Sequence, residues 1–186
     1  DLFGRFGIKD IYLDKQNKKI YASLTADITN EGCYGMAIYK SNFNYDEKSE
    51  NLDELKFEEF YKTDKCNENF NGHASGGRIQ KLNDKIIFTV GTLDFEKNKS
   101  TYTIPQQLNN AIGKIIEINP KGEYKILSSG HRNQQGLMIY GNKIFSTEHG
   151  PKGGDEINFI EKNGHYGWPY FSYGGEYNND LIYRFP

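Results

Sequence analysis

Three segments of the chain share one pattern of polar and apolar positions. Each has a polar turn with lysine, then isoleucine next to an aromatic residue, then small hydroxylated residues; they lie at residues 17–23, 84–89 and 142–147. A glycine and another short apolar run precede each segment, so every copy has the pattern of a strand, a tight turn and a second strand. The pattern predicts hairpins near residues 7–24, 77–91 and 136–148.

Further apolar runs lie between these hairpins. Residues 36–39 and 57–61 fill the first gap, and residues 113–118 and 124–127 flank a turn with Pro120 in the second. About four strands in every ~60 residues is typical of propeller blades or a similar repeat array. A β-sandwich fits this periodicity nearly as well, so the pattern predicts an all-β fold and leaves the architecture open.

The rest of the chain is interpreted as surface loops and cut ends. The polar segments 42–53 and 93–110 are predicted insertions, with one helical turn near residues 106–111. The chain begins without methionine or a leader and stops in a strand-like run at residues 183–186. We expect residues 1–186 to form a piece of a longer array.

Composition narrows the class of protein. Aromatic residues make up 15% of the 186 residues, and there are 20 glycines, as short strands and tight turns require. A net charge of -2 provides no basic field for nucleic acid. No apolar run approaches the ~20 residues of a membrane span, so we expect neither a nucleic-acid partner nor a membrane span.

The two cysteines, Cys33 and Cys66, leave two interpretations open. Neither belongs to a CxxC motif or has a histidine at ligand spacing, which disfavours zinc. They could form a disulfide in an oxidising compartment, and two unrelated buried thiols are almost as probable from the sequence.

Two glycine-rich segments have candidate site chemistry. In residues 130–136, Arg132 and Asn133 offer donors suited to a carboxylate or a quinone oxygen, although a turn that satisfies its own backbone is the simpler interpretation. In residues 148–158, Gly-Pro and Gly-Gly pairs keep carbonyls exposed, and Asp155 and Glu156 add anionic oxygens. Calcium binds such oxygens.

Together these segments resemble the glucose/sorbosone dehydrogenase family, the soluble aldose sugar dehydrogenases. The family pattern Arg-Asn-x-Gln-Gly matches residues 132–136, its long Glu-His-Gly-Pro motif matches residues 148–158, and Asn-Tyr-Gly-Trp-Pro matches residues 165–169 with histidine first. Family members use pyrroloquinoline quinone (PQQ) and calcium on a six-bladed β-propeller. The resemblance covers nearly the whole chain and implies about three blades, half of a propeller that the same or another chain completes.

The resemblance also implies residue roles. His73 matches the general base, and imidazole titrates near neutral pH. The implied catalytic residues are His73, Arg132 and Asp94; the cofactor contacts are His73, Arg132, Asn133, Gln135, Gly150 and Pro151; the calcium ligands are Gly150, Pro151, Asp155, Glu156 and Tyr166. Glu156 and Tyr166 match a second, structural calcium site.

Two departures from the family pattern concern the base. The loop from His73 to Arg78 is one residue longer than in the family, which a local bulge could absorb. Thr92 stands where the family has an aspartate that orients the base. Either Asp94 reaches back to His73, or that carboxylate is missing.

The resemblance implies a periplasmic or secreted oxidoreductase that uses PQQ and calcium, with an aldose-type sugar and an electron acceptor as partners. Hydride would pass to the quinone while His73 takes the hydroxyl proton. The basic residues that clamp PQQ in the family would lie after Pro186. The alternative is a non-catalytic extracellular binding propeller that keeps the calcium loops as scaffold. A bare sandwich would leave the motif at residues 148–158 unexplained.

Overall fold

The structure, a computed structural model, describes residues 6–46, 48–68, 70, 72–95 and 103–175. The strand-like run expected at residues 183–186 lies outside these residues. The strands are β1 (Ile8–Asp14), β2 (Lys19–Asp27), β3 (Tyr34–Asn42), β4 (Tyr45–Asp46), β5 (Asn51–Leu52), β6 (Glu58–Lys62), β7 (Gly76–Leu82), β8 (Lys85–Val90), β9 (Lys114–Ile118), β10 (Tyr124–Ser129), β11 (Gln134–Tyr140), β12 (Lys143–Glu148), β13 (Glu156–Ile160) and β14 (Gly164–His165).

These strands form three main sheets, so the expected all-β class is confirmed. The first sheet has the order β1-β2-β3-β6, the second β14-β10-β9-β8-β7, and the third β11-β12-β13. Neighbouring strands are antiparallel except for the short β10–β14 pair. The initial strands of the sheets, β1, β7 and β11, contact one another in sequence. The sheets therefore radiate from a shared line as propeller blades do, which excludes the sandwich.

Alternating side chains of the second sheet explain how the blades pack. On β8, Ile86, Phe88 and Val90 join the core shared with the first sheet, whereas Ile87 faces the third sheet. On β9, Ile116 and Ile118 face the first sheet and Ile115 the third. Because both faces of the second sheet are covered, its central strands β8 and β9 consist largely of apolar residues.

The third sheet buries only one of its faces within the described residues. Ile144 and Ile160 point to the second sheet. On the opposite face Met138 pairs with Phe145, and Phe145 pairs with Phe159, with the two phenylalanine rings 5.3 Å apart. This row continues to Ile157, which is 81% exposed. The row forms an apolar strip on the outer surface of the sheet.

Two predicted loop features need correction. The segment 42–53 is not a plain loop, because β4 and β5 form a small hairpin within it. The helical turn expected near residues 106–111 is instead a 3-10 helix at Ile104–Gln106. Pro105 favours the first turn of a helix, since it has no N–H to leave unpaired, and this places the turn earlier.

The side chain of a buried lysine, Lys114, connects the 3-10 helix to the start of β9. Lys114 is fully buried, and its Nζ donates to the carbonyls of Pro105 and Ile112 at 2.5 and 2.6 Å. Burial lowers the pKa of its ammonium group to about 8.

The structure resolves the alternative left open for the cysteines. Cys33 and Cys66 form a disulfide with a Cα–Cα distance of 5.3 Å, joining the start of β3 to the segment after β6. No helix among the described residues is long and apolar enough to cross a bilayer.

Candidate cofactor site

A cleft of about 810 Å³ lies where the second and third sheets meet. It is formed by the segments before β7, after β8, before β11 and after β12. Of the residues expected in the site, it brings together His73, Asp94, Arg132, Asn133, Gln135, Gly150, Pro151 and Asp155. Glu156 and Tyr166 do not line this cleft.

His73 projects from a single 3-10 turn, Gly72–Ala74, in front of β7. The hydroxyl of Ser75 donates to the Gly72 carbonyl at 2.9 Å and closes this turn. The turn packs tightly on Gly91, where a Cβ atom would overlap the Ala74 carbonyl. The exposed imidazole of His73 is therefore attached to a main-chain turn that is held in place by Ser75 and Gly91.

The loop from His73 to Arg78 contains a β-bulge. The β7–β8 register shifts between the Gly76 and Ile79 pairs, which is a β-bulge. Gly76 and Gly77 have φ values of 63° and 103°, a conformation that glycine adopts without strain. Thr89 Oγ1 accepts from the N–H groups of Gly77 and Arg78 at 3.0 and 2.9 Å. The bulge expectation is confirmed.

The turn after β8 brings Asp94 into the cleft beside His73. Leu93 and Asp94 have φ values of 53° and 62°, and the Leu93 carbonyl accepts from Asn67 Nδ2 at 2.9 Å. Thr92 is fully buried, and its hydroxyl has no hydrogen-bond partner among the described residues. The threonine therefore offers no carboxylate, and Asp94 lines the same cleft as His73.

Arg132 presents a fixed positive charge to the cleft. Its Nη1 donates to the carbonyls of His149 and Gly150 at 3.0 and 2.8 Å, and its guanidinium lies 5.3 Å from the ring centroid of Trp168. Its Nε is buried without a partner in the described part of the chain. The guanidinium is held in place and keeps donor capacity for a ligand.

A buried polar chain supports Arg132, and the sequence analysis did not include its members in the site. Ser128 Oγ is 2.8 Å from His131 Nε2, and His131 Nδ1 is 2.9 Å from Glu148 Oε2. The other carboxylate oxygen of Glu148 accepts from the main-chain N–H of Arg132. His131 directly precedes the matched motif at residues 132–136, and Glu148 is the first residue of the motif at residues 148–158. These positions were the available signal.

The loop after β12 turns back on itself through Asp155. Its Oδ1 accepts from the Gly150 N–H at 3.0 Å, and its Oδ2 lies 3.2 Å from His149 Nδ1. The carbonyls of His149 and Gly150 consequently point at one place, now taken by Arg132 Nη1. Converging carbonyl oxygens are suited to a cation.

Glu156 and Tyr166 occupy other positions. Glu156 lines a separate cavity of about 210 Å³, where burial raises the pKa of its carboxyl group. The Tyr166 hydroxyl donates to the Phe159 carbonyl at 2.6 Å and accepts from the Glu161 N–H at 2.9 Å. Among the described residues there is no cluster of three or more His, Cys, Asp or Glu side chains that could hold a metal ion. A cation in the cleft would depend mainly on main-chain oxygens.

Sequence comparison finds relatives that match part of the chain. The chain is 42% identical over 96 residues to the uncharacterized protein slr1608 of Synechocystis, covering 41% of this chain and 23% of that protein. It is 33% identical over 123 residues to quinoprotein glucose dehydrogenase B of Acinetobacter calcoaceticus, covering 52% and 26%. The matched segments span about a quarter of the length of these relatives.

Solved structures share the fold. The soluble aldose sugar dehydrogenase of Escherichia coli in its apo form superposes with a TM-score of 0.74 at 24% identity, covering 96% of this chain and 53% of that chain. The PQQ-bound aldose sugar dehydrogenase of Streptomyces coelicolor superposes with a TM-score of 0.64 at 24% identity, covering 88% and 48%. The chain thus corresponds to about half of such a fold.

The family comparison agrees with the motifs and the architecture. The family model described as Glucose / Sorbosone dehydrogenase matches residues 3–185, nearly the whole chain. The cleft is lined by residues of the motifs at 132–136 and 148–158, which resemble the family pattern. The chain belongs to the glucose/sorbosone dehydrogenase family.

Proposed function

We propose that the chain forms one wall of the active site of a PQQ- and calcium-dependent oxidoreductase that oxidises aldose-type sugars. The observation that carries this proposal is the shared cleft, which is lined by an exposed histidine, a fixed guanidinium and the loop with Gly150, Pro151 and Asp155. A base, a cation and hard oxygen ligands are the groups that such an oxidation requires.

The residues present fit the two groups. Arg132 and the amide of Gln135 would hold the quinone, and the carbonyls of Gly150 and Pro151 would hold calcium. Asp155 would contribute negative charge beside that calcium. Bound PQQ with calcium would supply an electrophilic quinone that accepts hydride from the sugar's anomeric carbon. A structural calcium at Glu156 and Tyr166 belongs to the same proposal.

The chain's own residues would perform the polar steps. The His73 imidazole would accept the proton of the anomeric hydroxyl as that carbon becomes a carbonyl. The Arg132 guanidinium would stabilise negative charge on the cofactor side, without reorganising, because two carbonyls already hold it. Asp94, on the wall beside His73, would favour the imidazolium that forms.

Calcium and Arg132 would share one ligand. The Gly150 carbonyl accepts from Arg132 Nη1 at 2.8 Å, so a calcium ion on that oxygen would lie beside the guanidinium. An anionic cofactor bound beside them would offset the repulsion between these two positive charges. We therefore expect calcium and the anionic cofactor to bind the cleft together more tightly than either binds alone.

One observation favours the second candidate, a non-catalytic binding propeller. Thr92 replaces the aspartate that the resemblance implies, and its buried hydroxyl contacts no polar partner in the described part of the chain. If Asp94 does not orient His73, the cleft could bind a ligand without oxidising it. Measuring both binding and turnover separates the two candidates.

The test uses the complete protein with PQQ and calcium. We expect saturable PQQ binding by absorbance titration and sugar-dependent reduction of an artificial electron acceptor. His73→Ala should lower turnover by about 100-fold or more while PQQ still binds. His165→Ala, an exposed histidine outside the cleft, is the matched control and should retain turnover.

The outcomes separate the alternatives. Binding without turnover over a broad aldose panel would favour the non-catalytic propeller. If the protein shows no PQQ binding and no turnover, both the proposed cofactor and the proposed activity are refuted. Undiminished turnover in His73→Ala would show that another group is the base.

The proposed setting is the periplasm or the outside of the cell. The disulfide between Cys33 and Cys66 supports it, because such bonds persist in oxidising compartments. The proposed partners are a sugar, an electron acceptor, and the remaining half of the propeller, from the same or another chain.

A further inference from the structure

The side-chain amide of Asn133 is buried beneath the bend that carries His73. Its Nδ2 donates to the main-chain carbonyl of His73 at 2.6 Å, and its Oδ1 accepts from the main-chain N–H of Gly76 at 3.2 Å. Asn133 is only 4% exposed, so water competes little for these bonds. One amide group therefore ties together both ends of the bend.

The two partners fix the direction of the amide. A main-chain carbonyl only accepts and a main-chain N–H only donates, so Nδ2 must face His73 and Oδ1 must face Gly76. Aspartate, which has the same shape, lacks the donor, and leucine lacks both groups. The site therefore demands the amide chemistry of asparagine and not merely its size.

The other supports of the bend come from a different strand. The chain that leaves β8 donates N–H groups to the carbonyls of Ala74 and Ser75, each at 2.9 Å. The His73 carbonyl accepts from Asn133 Nδ2 at 2.6 Å, with Gln135 Nε2 farther away at 3.5 Å. The placement of the imidazole thus depends on the third sheet as well as on the second.

We infer that Asn133 is a positioning residue for His73. The inference rests on the proposed function, in which His73 takes the sugar's proton, and it assigns Asn133 a role other than contact with the quinone. Proton transfer requires an approach of about 3 Å between heavy atoms. A misplacement of about 1 Å can reduce a rate by about 100-fold.

The first test needs neither cofactor nor turnover. Asn133→Leu removes both hydrogen bonds, whereas Asn133→Asp keeps the acceptor for Gly76. In the complete cofactor-free protein, the Gly76 amide should exchange about 10-fold faster in Asn133→Leu and at the wild-type rate in Asn133→Asp. The imidazole NMR signals of His73 should shift in both variants. Where Asn133→Leu does not fold, the smaller Asn133→Ser replaces it.

Wild-type protection of Gly76 in a folded Asn133→Leu variant, or in Asn133→Ser when it is the substitute, would overturn the inference. The matched control is Asn119→Asp. Asn119 lies in the exposed turn between β9 and β10, where its Oδ1 accepts from the N–H groups of Lys121 and Glu123. This control should leave both the Gly76 exchange rate and the His73 signals unchanged.

The second test uses the protein loaded with PQQ and calcium. Asn133→Asp should lower kcat about 10- to 100-fold, with KM for the sugar and Kd for PQQ within about threefold of wild type. A PQQ Kd at least ~10-fold weaker with unchanged kcat would instead make Asn133 a cofactor contact. If the wild-type protein neither binds PQQ nor oxidises sugars, the proposed function is refuted. The inference about Asn133 is then still tested by Gly76 exchange, which depends on the hydrogen bond to the Asn133 side chain.

Discussion

Replacing both Cys33 and Cys66 by serine should lower the free energy of unfolding by about 4 kcal/mol. The disulfide joins residues separated by 33 positions. The chain-entropy relation for a loop of that length gives about 4 kcal/mol at 25 °C, because the bridge restricts the unfolded chain. The bridge also joins the start of β3 to the segment after β6, which fixes the end of the first sheet.

The assay is equilibrium unfolding in urea, followed by far-UV circular dichroism. The oxidised wild type, the reduced wild type and the double serine variant should be compared in the same buffer. Reduced wild type and variant should unfold at the same, lower midpoint. If the oxidised protein and the variant share a midpoint, the bridge contributes nothing and the reasoning is refuted.

The bridge should also act on the cleft through Asn67. The main chain of Asn67, next to Cys66, pairs with Tyr34, and its side chain donates to the Leu93 carbonyl at 2.9 Å. Asp94 follows directly. Loss of the bridge should therefore raise amide exchange in the turn at residues 92–94, in addition to lowering global stability. Unchanged exchange there would limit the role of the bridge to the first sheet.

Three further predictions concern buried groups. Burial lowers the pKa of Lys114 to about 8 in the folded state, against 10.5 in the unfolded state. Between pH 8 and 10.5 the unfolded state therefore binds more protons, so the free energy of unfolding rises with pH. Urea unfolding should show wild type gaining about 2 kcal/mol over Lys114→Met between pH 7 and 9.5; a constant difference contradicts this. Gly91→Ala should cost about 1–3 kcal/mol, because its Cβ would overlap the Ala74 carbonyl, and an unchanged melting temperature would disprove the overlap. Glu148→Gln should cost about 2 kcal/mol in urea unfolding by weakening the buried bond to His131, and an unchanged midpoint would show that the charge contributes nothing.

Strand positions in the second sheet follow directly from the sequence. Ile86, Ile87 and Phe88 are apolar because both faces of the sheet are buried, so composition and structure agree. The sequence does not predict strand β13, because an apolar residue is exposed in it and a polar residue faces inward, the reverse of the usual pattern. Ile157 is exposed, whereas Asn158 points inward, and the glycines before it favour a loop.

The members of the site could be predicted from the family motifs, but their contacts could not. The motif at residues 132–136 indicates an arginine and an asparagine without showing that Asn133 holds the His73 main chain. The motif at residues 165–169 contains Tyr166 without showing that its hydroxyl donates to the Phe159 carbonyl. Such partners lie far apart in sequence, so they depend on how the sheets pack and not on local pattern.

The apolar strip on the third sheet bears on how the cleft is held together. In an array of blades, each sheet is stabilised by its own bonds and by its interfaces with neighbours. Among the described residues, the second sheet has two such interfaces and the third has one. In the proposed complete propeller, the remaining half would cover the strip. The carbonyl loop at residues 149–155 connects β12 to β13. Half of the cleft would therefore depend on what packs against the third sheet, whereas the wall with His73 rests on a sheet that is covered on both faces.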